Sequence, residues 1–328
     1  MKAYIKAIGY YLPEKIITNE DLIKDFPEWS VEKVSSKTGI STRHISAAGE
    51  TATDMAEKAA KILFAEHSIS STDIDFILFC TQSPDYKLPT SACILQKRLN
   101  IPSSCGAFDY NLGCSGYIYG LSLAKGLLVS GIAKNILLLT SETYSKYIHP
   151  SDKGNRSIFG DAATATLISD AGFARLEDAV LGTNGEGAGN LIVKTSGARF
   201  PDEAAGAGEN SISGDYLYMD GPAIFNFTLD TVPSLISETL KKNDMKYDDI
   251  HLFILHQANK FMLDTIRKVC GIPKDKFYVN LDKVGNTVSS TIPIAICEAR
   301  KENLLSGNIL LAGFGVGYSW GGIVIKII

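Results

Sequence analysis

Six cysteines stand at positions 80, 93, 105, 114, 270 and 297, and one of them is placed where a thiol could act as a nucleophile. Cys114 lies in the run Asp109-Tyr-Asn-Leu-Gly-Cys-Ser-Gly116, after a short strand pattern and before an amphipathic helix pattern. Gly113 and Gly116 permit a tight strand-to-helix turn and close approach of a substrate. A thiol at a helix N-terminus faces unpaired backbone N–H groups and the positive end of the helix dipole, so a lowered thiol pKa is expected. The same N–H groups can stabilise the oxyanion formed when a thioester carbonyl is attacked. A tight packing turn would have the same local sequence. The other five cysteines read as small buried hydrophobes. No pair has CxxC spacing, so neither a zinc site nor a dithiol redox centre is expected, and no metal.

The elements that must position Cys114 are those of an α/β protein. Apolar runs at Phe76–Cys80, Ile136–Thr140 and Leu252–Leu255 are nearly continuous, as in strands buried on both faces. Helical periodicity fits Ala52–His67, Ser115–Ser130, Pro222–Asn243, Lys260–Cys270 and Thr291–Leu304. Strand–helix alternation of this kind implies helices packed on sheets. The segment Gly182–Gly221 breaks the alternation. It is rich in Gly, Ala, Ser and acidic residues, and reads either as a functional loop or as a solvated insertion.

A weak internal repeat supplies partners for the cysteine. Asp73-Ile-Asp-Phe-Ile-Leu-Phe-Cys80 aligns with Asp249-Ile-His-Leu-Phe-Ile-Leu-His256, Phe108–Leu112 with Phe277–Leu281, and Ser130-Gly131 before Asn135-Ile-Leu-Leu-Leu with Ser306-Gly307 before Asn308-Ile-Leu-Leu, at offsets of about 170 to 176 residues. A repeat of this length predicts a duplicated domain, with halves 1–172 and 173–328. The strand ending on Cys80 then corresponds to one ending on His256, and the turn of Cys114 to that of Asn286. If the halves pack about a pseudo-twofold axis, Cys114, His256 and Asn286 converge. His256 taken alone reads equally as a hydrogen-bonded structural residue. The trio is chemically coherent. A thiolate stores an acyl group. A neutral histidine in a defined tautomer and an asparagine can donate hydrogen bonds to an enolate formed by loss of carbon dioxide.

Composition sets the outer limits. The chain has 328 residues, 45% hydrophobic, and a formal net charge of −4. Nothing in that balance points to nucleic acid or to an anionic membrane surface. The N-terminal MKAYIKAIGYYLP reads as a strand and turn, not an export leader. No apolar run approaches the roughly 18 residues of a membrane helix, so a cytoplasmic location is expected.

Further motifs sharpen the reading: Thr38-Gly-Ile40 with Arg43-His-Ile45, Gly113-Cys-Ser-Gly116, Phe159-Gly-Asp161, His256-Gln-Ala-Asn259, Gly285-Asn-Thr287 and Gly313-Phe-Gly-Val-Gly-Tyr-Ser-Trp-Gly321. Through these, over essentially its whole length, the chain resembles the β-ketoacyl-acyl carrier protein synthase III family. The resemblance implies a thiolase-type fold of five layers, α-β-α-β-α, from two duplicated halves, and a homodimer. It implies condensation of an acyl-CoA primer with malonyl-acyl carrier protein, releasing CoA and carbon dioxide and initiating fatty acid biosynthesis. CoA thioester and carrier protein are substrates, and no cofactor is implied. Carried over by position, Cys114 is the acyl acceptor, and His256 and Asn286 form the decarboxylation site. The N–H groups of Cys114 and Gly317 form the oxyanion hole. Lys37, Lys153, Gln257, Ala258, Asn259 and Lys260 border the CoA and carrier-protein surface. Leu88 and Phe159 belong to the primer pocket.

Several positions depart from the family pattern. Lys260 follows the HQAN asparagine where members often have arginine. Lys153 replaces an arginine that often packs on adenine, and keeps its charge without planar stacking. Trp29 lies further from Thr38 than the family's tryptophan does, so it is not expected to stack on adenine. Leu88 stands where many members place a phenylalanine that reaches the primer from the dimer partner, and a smaller residue there fits a longer or branched primer. Lys37, Lys153, Arg156, Lys260, Arg267 and Lys268 are candidates for a basic patch facing an acidic carrier protein, or an ordinary charged surface. The competing functions are the same condensation in a specialised pathway, thioester hydrolysis at a His-paired cysteine, and a non-catalytic scaffold.

Overall fold

A computed structural model describes residues 2–201 and 214–328. The first half comprises β1 (Tyr4–Tyr11), β2 (Lys15–Thr18), α1 (Asn19–Asp25), α2 (Val31–Thr38), β3 (Thr42–Ile45), α3 (Ala52–His67), β4 (Phe76–Cys80), α4 (Ser91–Arg98), β5 (Gly106–Tyr110), α5 (Gly116–Val129), β6 (Ile136–Glu142), α6 (Lys153–Arg156) and β7 (Ala162–Ser169). The second comprises β8 (Ala174–Thr183), β9 (Leu191–Ile192), β10 (Tyr218–Met219), α7 (Gly221–Lys242), β11 (Ile250–Leu255), α8 (Lys260–Val269), α9 (Thr291–Lys301), β12 (Asn308–Gly315) and β13 (Ser319–Ile327).

The repeat in the sequence is a repeat in topology. The main sheet runs β11-β12-β13-β8-β1-β7-β6-β4-β5. Read outward from its centre, β1 pairs antiparallel with β7, β7 antiparallel with β6, β6 parallel with β4, and β4 parallel with β5. On the other side β8, β13, β12 and β11 follow with the same senses, and a parallel bridge from Phe253 to Phe277 stands where β5 would be. The two sets join where Tyr4 and Ile5 of β1 meet Arg175 and Ala174 of β8.

Helices cover both faces, which explains the unbroken apolar runs. α3 packs on β1, β6 and β7, and α7 on β8, β12 and β13. Between the two strand sets lie α5, which touches β4, β6 and β7 as well as β8, β12 and β13, and α9, which touches β1, β7 and β11. The result is the five-layered α-β-α-β-α order. All of β6 and β7 is buried as a consequence. Capping fixes the helix ends. At α3 the Thr51 side chain accepts from Asp54 N–H while the Asp54 carboxylate accepts from Thr51 N–H. α9 stops at Lys301, short of the expected Leu304. Asn303 turns left-handed (φ 58°) and Leu304 N–H returns to Ala299 carbonyl.

Of the segment 182–221, residues 202–213 lie outside the described residues. On either side, β9 and β10 form a small antiparallel pair. Among the described residues, no helix is long and apolar enough to cross a membrane.

Candidate active site

Cys114 sits in the turn between β5 and α5. Gly116 permits that turn's packing, because a Cβ there would run into Cys80 Sγ. The thiol is buried, and burial pushes its pKa up to about 12, with the Glu142 carboxyl adding to the rise and the Cys114 backbone N–H opposing it. This reverses the expected lowering. Desolvation of a thiolate outweighs the helix end, whose Gly116 N–H is already given to Gly113 carbonyl at 2.8 Å. Glu142 is itself fully buried. Burial raises its carboxyl to about 8, although Ser83 Oγ–H and Gln82 N–H donate to it at 2.8 and 2.9 Å.

The second half brings its residues to the same place. His256 follows β11, and its N–H donates to Ala312 carbonyl on β12 at 2.8 Å. Three residues further along β12, a Cβ on Gly315 would lie 3.1 Å from both Cβ and Sγ of Cys114. Phe314, between them, sets its ring edge-on to the His256 imidazole, centroids 5.7 Å apart. Burial takes the His256 pKa down to about 3, so the imidazole is neutral.

Asn286 is held by a clamp between the halves. Its N–H donates to Ile158 carbonyl at 2.9 Å, and its carbonyl accepts from Gly160 N–H at 3.0 Å. Its side-chain oxygen accepts from Val288 N–H at 2.9 Å, while its amide nitrogen has no hydrogen-bond partner among the described residues. Val288 has φ 57°, an unfavourable region for a β-branched residue, and it separates Asn286 from Thr291. Thr291 Oγ1 lies 2.8 Å from His256 Nδ1. A chain of contacts therefore joins Asn286, Val288, Thr291 and His256. Ser289 closes it against α5, its Cβ 3.6 Å from the position of a Cβ on Gly116.

Other expected residues are distributed differently. On the Phe-Gly-Val-Gly turn the contact with Cys114 belongs to Gly315. Gly317 (φ 135°) lies two residues beyond, against Ser319. Val316 and Gln82 would both meet a Cβ on Gly113, and both line a cavity of about 530 Å³ with Asn111, Tyr144, Leu191 and Leu217. Neither Leu88 nor Phe159 lines it. Leu88 is 82% exposed. Phe159 is buried, packs its ring on Tyr144 at 5.3 Å, and bridges to Asn286 through its backbone.

A second cavity, of about 690 Å³, is lined by Lys37, Thr38, Ser157, Ile158, Asn259 and Trp29, among others. Trp29 thus shares a wall with Thr38 despite the spacing argument, because the residues between them coil into α2. Lys153 lies 5.6 Å over the Trp29 ring and pairs with Glu28 at 2.8 Å. Asn259 caps α8 by accepting from Met262 N–H. Gln257 and Ala258 do not reach the surface. Gln257 is buried, donating to Leu255 carbonyl at 2.6 Å and accepting from Asn280 N–H at 2.7 Å. Lys260 pairs with Asp264, and Arg156 with Asp25. Sequence reasoning passed over Gly315, Glu142, Val288 and Thr291. Only Gly315 left a signal, as part of a glycine-rich turn.

Known proteins resemble this chain in sequence and in fold. Residues 108–185 match the family model described as 3-Oxoacyl-[acyl-carrier-protein (ACP)] synthase III, and residues 240–327 its C-terminal model. A beta-ketoacyl-[acyl-carrier-protein] synthase III of Clostridium perfringens is 37% identical over 97% of each chain. One from Lactococcus lactis is 34% identical over 99% of each. A solved 3-oxoacyl-(acyl-carrier-protein) synthase III superposes with a TM-score of 0.96 at 46% identity, covering all of both chains. The enzyme of Aquifex aeolicus gives 0.87 at 31% over 99% of each. The chain belongs to the 3-oxoacyl-(acyl-carrier-protein) synthase III family and has its thiolase-type fold.

Proposed function

We propose that this chain is a β-ketoacyl-acyl carrier protein synthase III, an acyltransferase that initiates fatty acid biosynthesis, in which Cys114 carries the acyl group and His256 and Asn286 serve the condensation. One observation carries the assignment of residues. Cys114 from the first half and His256 from the second meet the same end of β12, and Asn286 is tied to His256 through Val288 and Thr291.

In the first half-reaction the Cys114 S–H loses its proton and sulfur attacks the acyl-CoA carbonyl. The carbon–sulfur bond to CoA breaks, and the CoA sulfur takes a proton. In the second, malonyl-acyl carrier protein loses carbon dioxide. The resulting enolate attacks the Cys114 thioester and expels the thiolate, which is reprotonated. The Asn286 amide N–H, without another partner among the described residues, suits the enolate oxygen. The cavity beside Gly113 suits the acyl primer, and the Trp29–Lys37 cavity suits the pantetheine and nucleotide of CoA. Its Lys37 rim and α8, with Lys260, Arg267 and Lys268, suit an acidic carrier protein. β5 is a sheet edge, and Tyr86 and Leu88 in the segment after β4 are exposed, which supports a homodimer across that edge. A cytoplasmic enzyme without a cofactor fits these substrates. Neither hydrolysis nor a specialised pathway has an observation of its own in its favour.

The test is mass spectrometry after incubation with a panel of acyl-CoAs, followed by addition of malonyl-acyl carrier protein. The expected result is an acyl adduct on Cys114 that disappears as ketoacyl-acyl carrier protein forms. Rapid release of free acid before malonyl donor is added would replace condensation by hydrolysis.

A further inference from the structure

The cavity beside Gly113 has a polar corner that the condensing chemistry does not use. Gln82 stands two residues after the end of β4, and its side chain is held by both of its amide atoms. The Tyr144 hydroxyl donates to Gln82 Oε1, and Gln82 Nε2 donates to Asn111 Oδ1 at 2.9 Å. The supports are themselves fixed. Tyr144 is buried, with its ring packed on Phe159. The Gln82 backbone N–H donates to the two oxygens of buried Glu142 at 2.9 and 3.1 Å. The Ser83 hydroxyl donates to the same carboxyl at 2.8 Å and accepts from Thr143 N–H at 3.0 Å. Glu142, a buried group with no part in the proposed reaction, thus holds the start of the loop that carries Gln82.

This amide lies against the turn of the nucleophile. A Cβ on Gly113 would come within 2.7 Å of Gln82 Oε1 and 2.5 Å of Val316 Cγ1, so a side chain at position 113 would displace both. Val316 follows Gly315, the residue that abuts the Cys114 side chain. Gln82, Asn111, Tyr144 and Val316 all line the cavity of about 530 Å³. Successive Cα atoms are about 3.8 Å apart, so the amide sits within the length of a short acyl chain from Cys114.

Counting hydrogens shows what the corner offers. Oε1 is taken by Tyr144. Nε2 carries two hydrogens, and one goes to Asn111. The second, and those of the Asn111 amide nitrogen, have no hydrogen-bond partner among the described residues. The corner therefore presents donors, in a cavity whose lining also includes apolar Leu191, Val193 and Leu217. A largely apolar pocket with a few fixed polar groups selects its occupant through those groups. A plain alkyl chain covering such a donor would strip it of water and give nothing back.

On the reading that this cavity takes the primer, we propose that Gln82 is a specificity-determining residue, whose amide N–H donates to a hydroxyl or carbonyl oxygen at the third or fourth carbon of a short acyl group on Cys114. Asn111 supports the amide and offers a second donor. The condensing step is the same for such a primer.

The experiment is single-turnover acylation of Cys114, followed by mass spectrometry, with butyryl-, 3-hydroxybutyryl-, 3-oxobutyryl- and 4-hydroxybutyryl-CoA. At least one oxygenated primer should react ~10-fold faster than butyryl-CoA, the size of one hydrogen bond at a half-buried site. Gln82→Leu keeps the bulk and removes the donor. It should bring that ratio to about one, with the butyryl rate changed no more than a few-fold. The ratio separates recognition from packing, because a damaged turn slows every primer alike. Equal slowing of all four primers in folded Gln82→Leu would overturn the proposal. So would a wild-type enzyme that reacts no faster with any oxygenated primer than with butyryl-CoA, whether or not the variant folds. Uptake of no acyl group from any of them would overturn the functional reading itself, and this proposal with it.

Discussion

The two halves use one topology to present different residues at corresponding positions. In the first, the strand β4 ends on Cys80 and the next turn carries Cys114. In the second, β11 ends on His256 and the matching turn carries Asn286. Cys80 is a buried thiol whose S–H donates to Leu112 carbonyl at 3.1 Å. His256 at the equivalent place is a polar ring tied to Thr291. The first half thus places a thiol at each of these positions, and the second a side chain able to form hydrogen bonds. The proposed trio draws on both halves. The difference also shows what burial does to each. It holds Cys114 as a thiol and His256 as a neutral imidazole, because desolvation disfavours the charged form of each.

The largest test of that contrast writes one half into the other. Cys114→Asn, which copies the second turn into the first, should abolish the acyl adduct and bring condensation to background, measured by mass spectrometry and product assay. Asn286→Ala should still acylate within a few-fold but decarboxylate the malonyl donor ~10²- to 10³-fold more slowly, as loss of one preorganised donor does. Equal loss of both steps would break the division of labour between the halves. Gly315→Ala probes their contact. Its Cβ would fall 3.1 Å from the Cys114 side chain, so acylation should slow and stability should drop by ~1–3 kcal/mol in urea titration.

The smallest effect is on the pH dependence of stability. His256 is lowered from 6.5 to about 3, so below pH 6.5 the unfolded chain binds a proton that the folded chain refuses. Its contribution is present above 6.5 and is lost as pH falls toward 3. Glu142 is raised from 4.5 to about 8, so the folded chain keeps a proton that the unfolded chain releases. That contribution is full below 4.5 and is lost as pH rises through 8. His256→Gln should flatten the acid limb relative to wild type, and Glu142→Gln the alkaline limb, read from urea midpoints across pH.

Much of this was legible in the chain itself. Continuous apolar runs gave β4, β6 and β11, and helical periods gave α3, α5, α7, α8 and α9, because burial on two faces or on one stripe writes its own period into the residues. The three repeat segments fell on β4 and β11, on β5 and the Phe277 bridge, and on β6 and β12. Cys114, His256 and Asn286 were singled out by their place in that repeat. The thiol's pKa was misjudged, because a helix end is visible in sequence and desolvation is not. Gln257 was assigned to a surface from its motif, and only the packed structure shows both ends of its amide used internally. The spacing of Trp29 from Thr38 along the chain does not show that α2 brings both to one cavity wall.

Sequence alone determined the periodicity, the duplication and the residue types available for chemistry, since these are properties of order along the chain. Tertiary structure decided the ionisation of Cys114, the contact of His256 with Thr291 and the contact at Gly315. Each depends on what lies within a few ångströms from a different part of the chain, and on how much water that neighbour excludes.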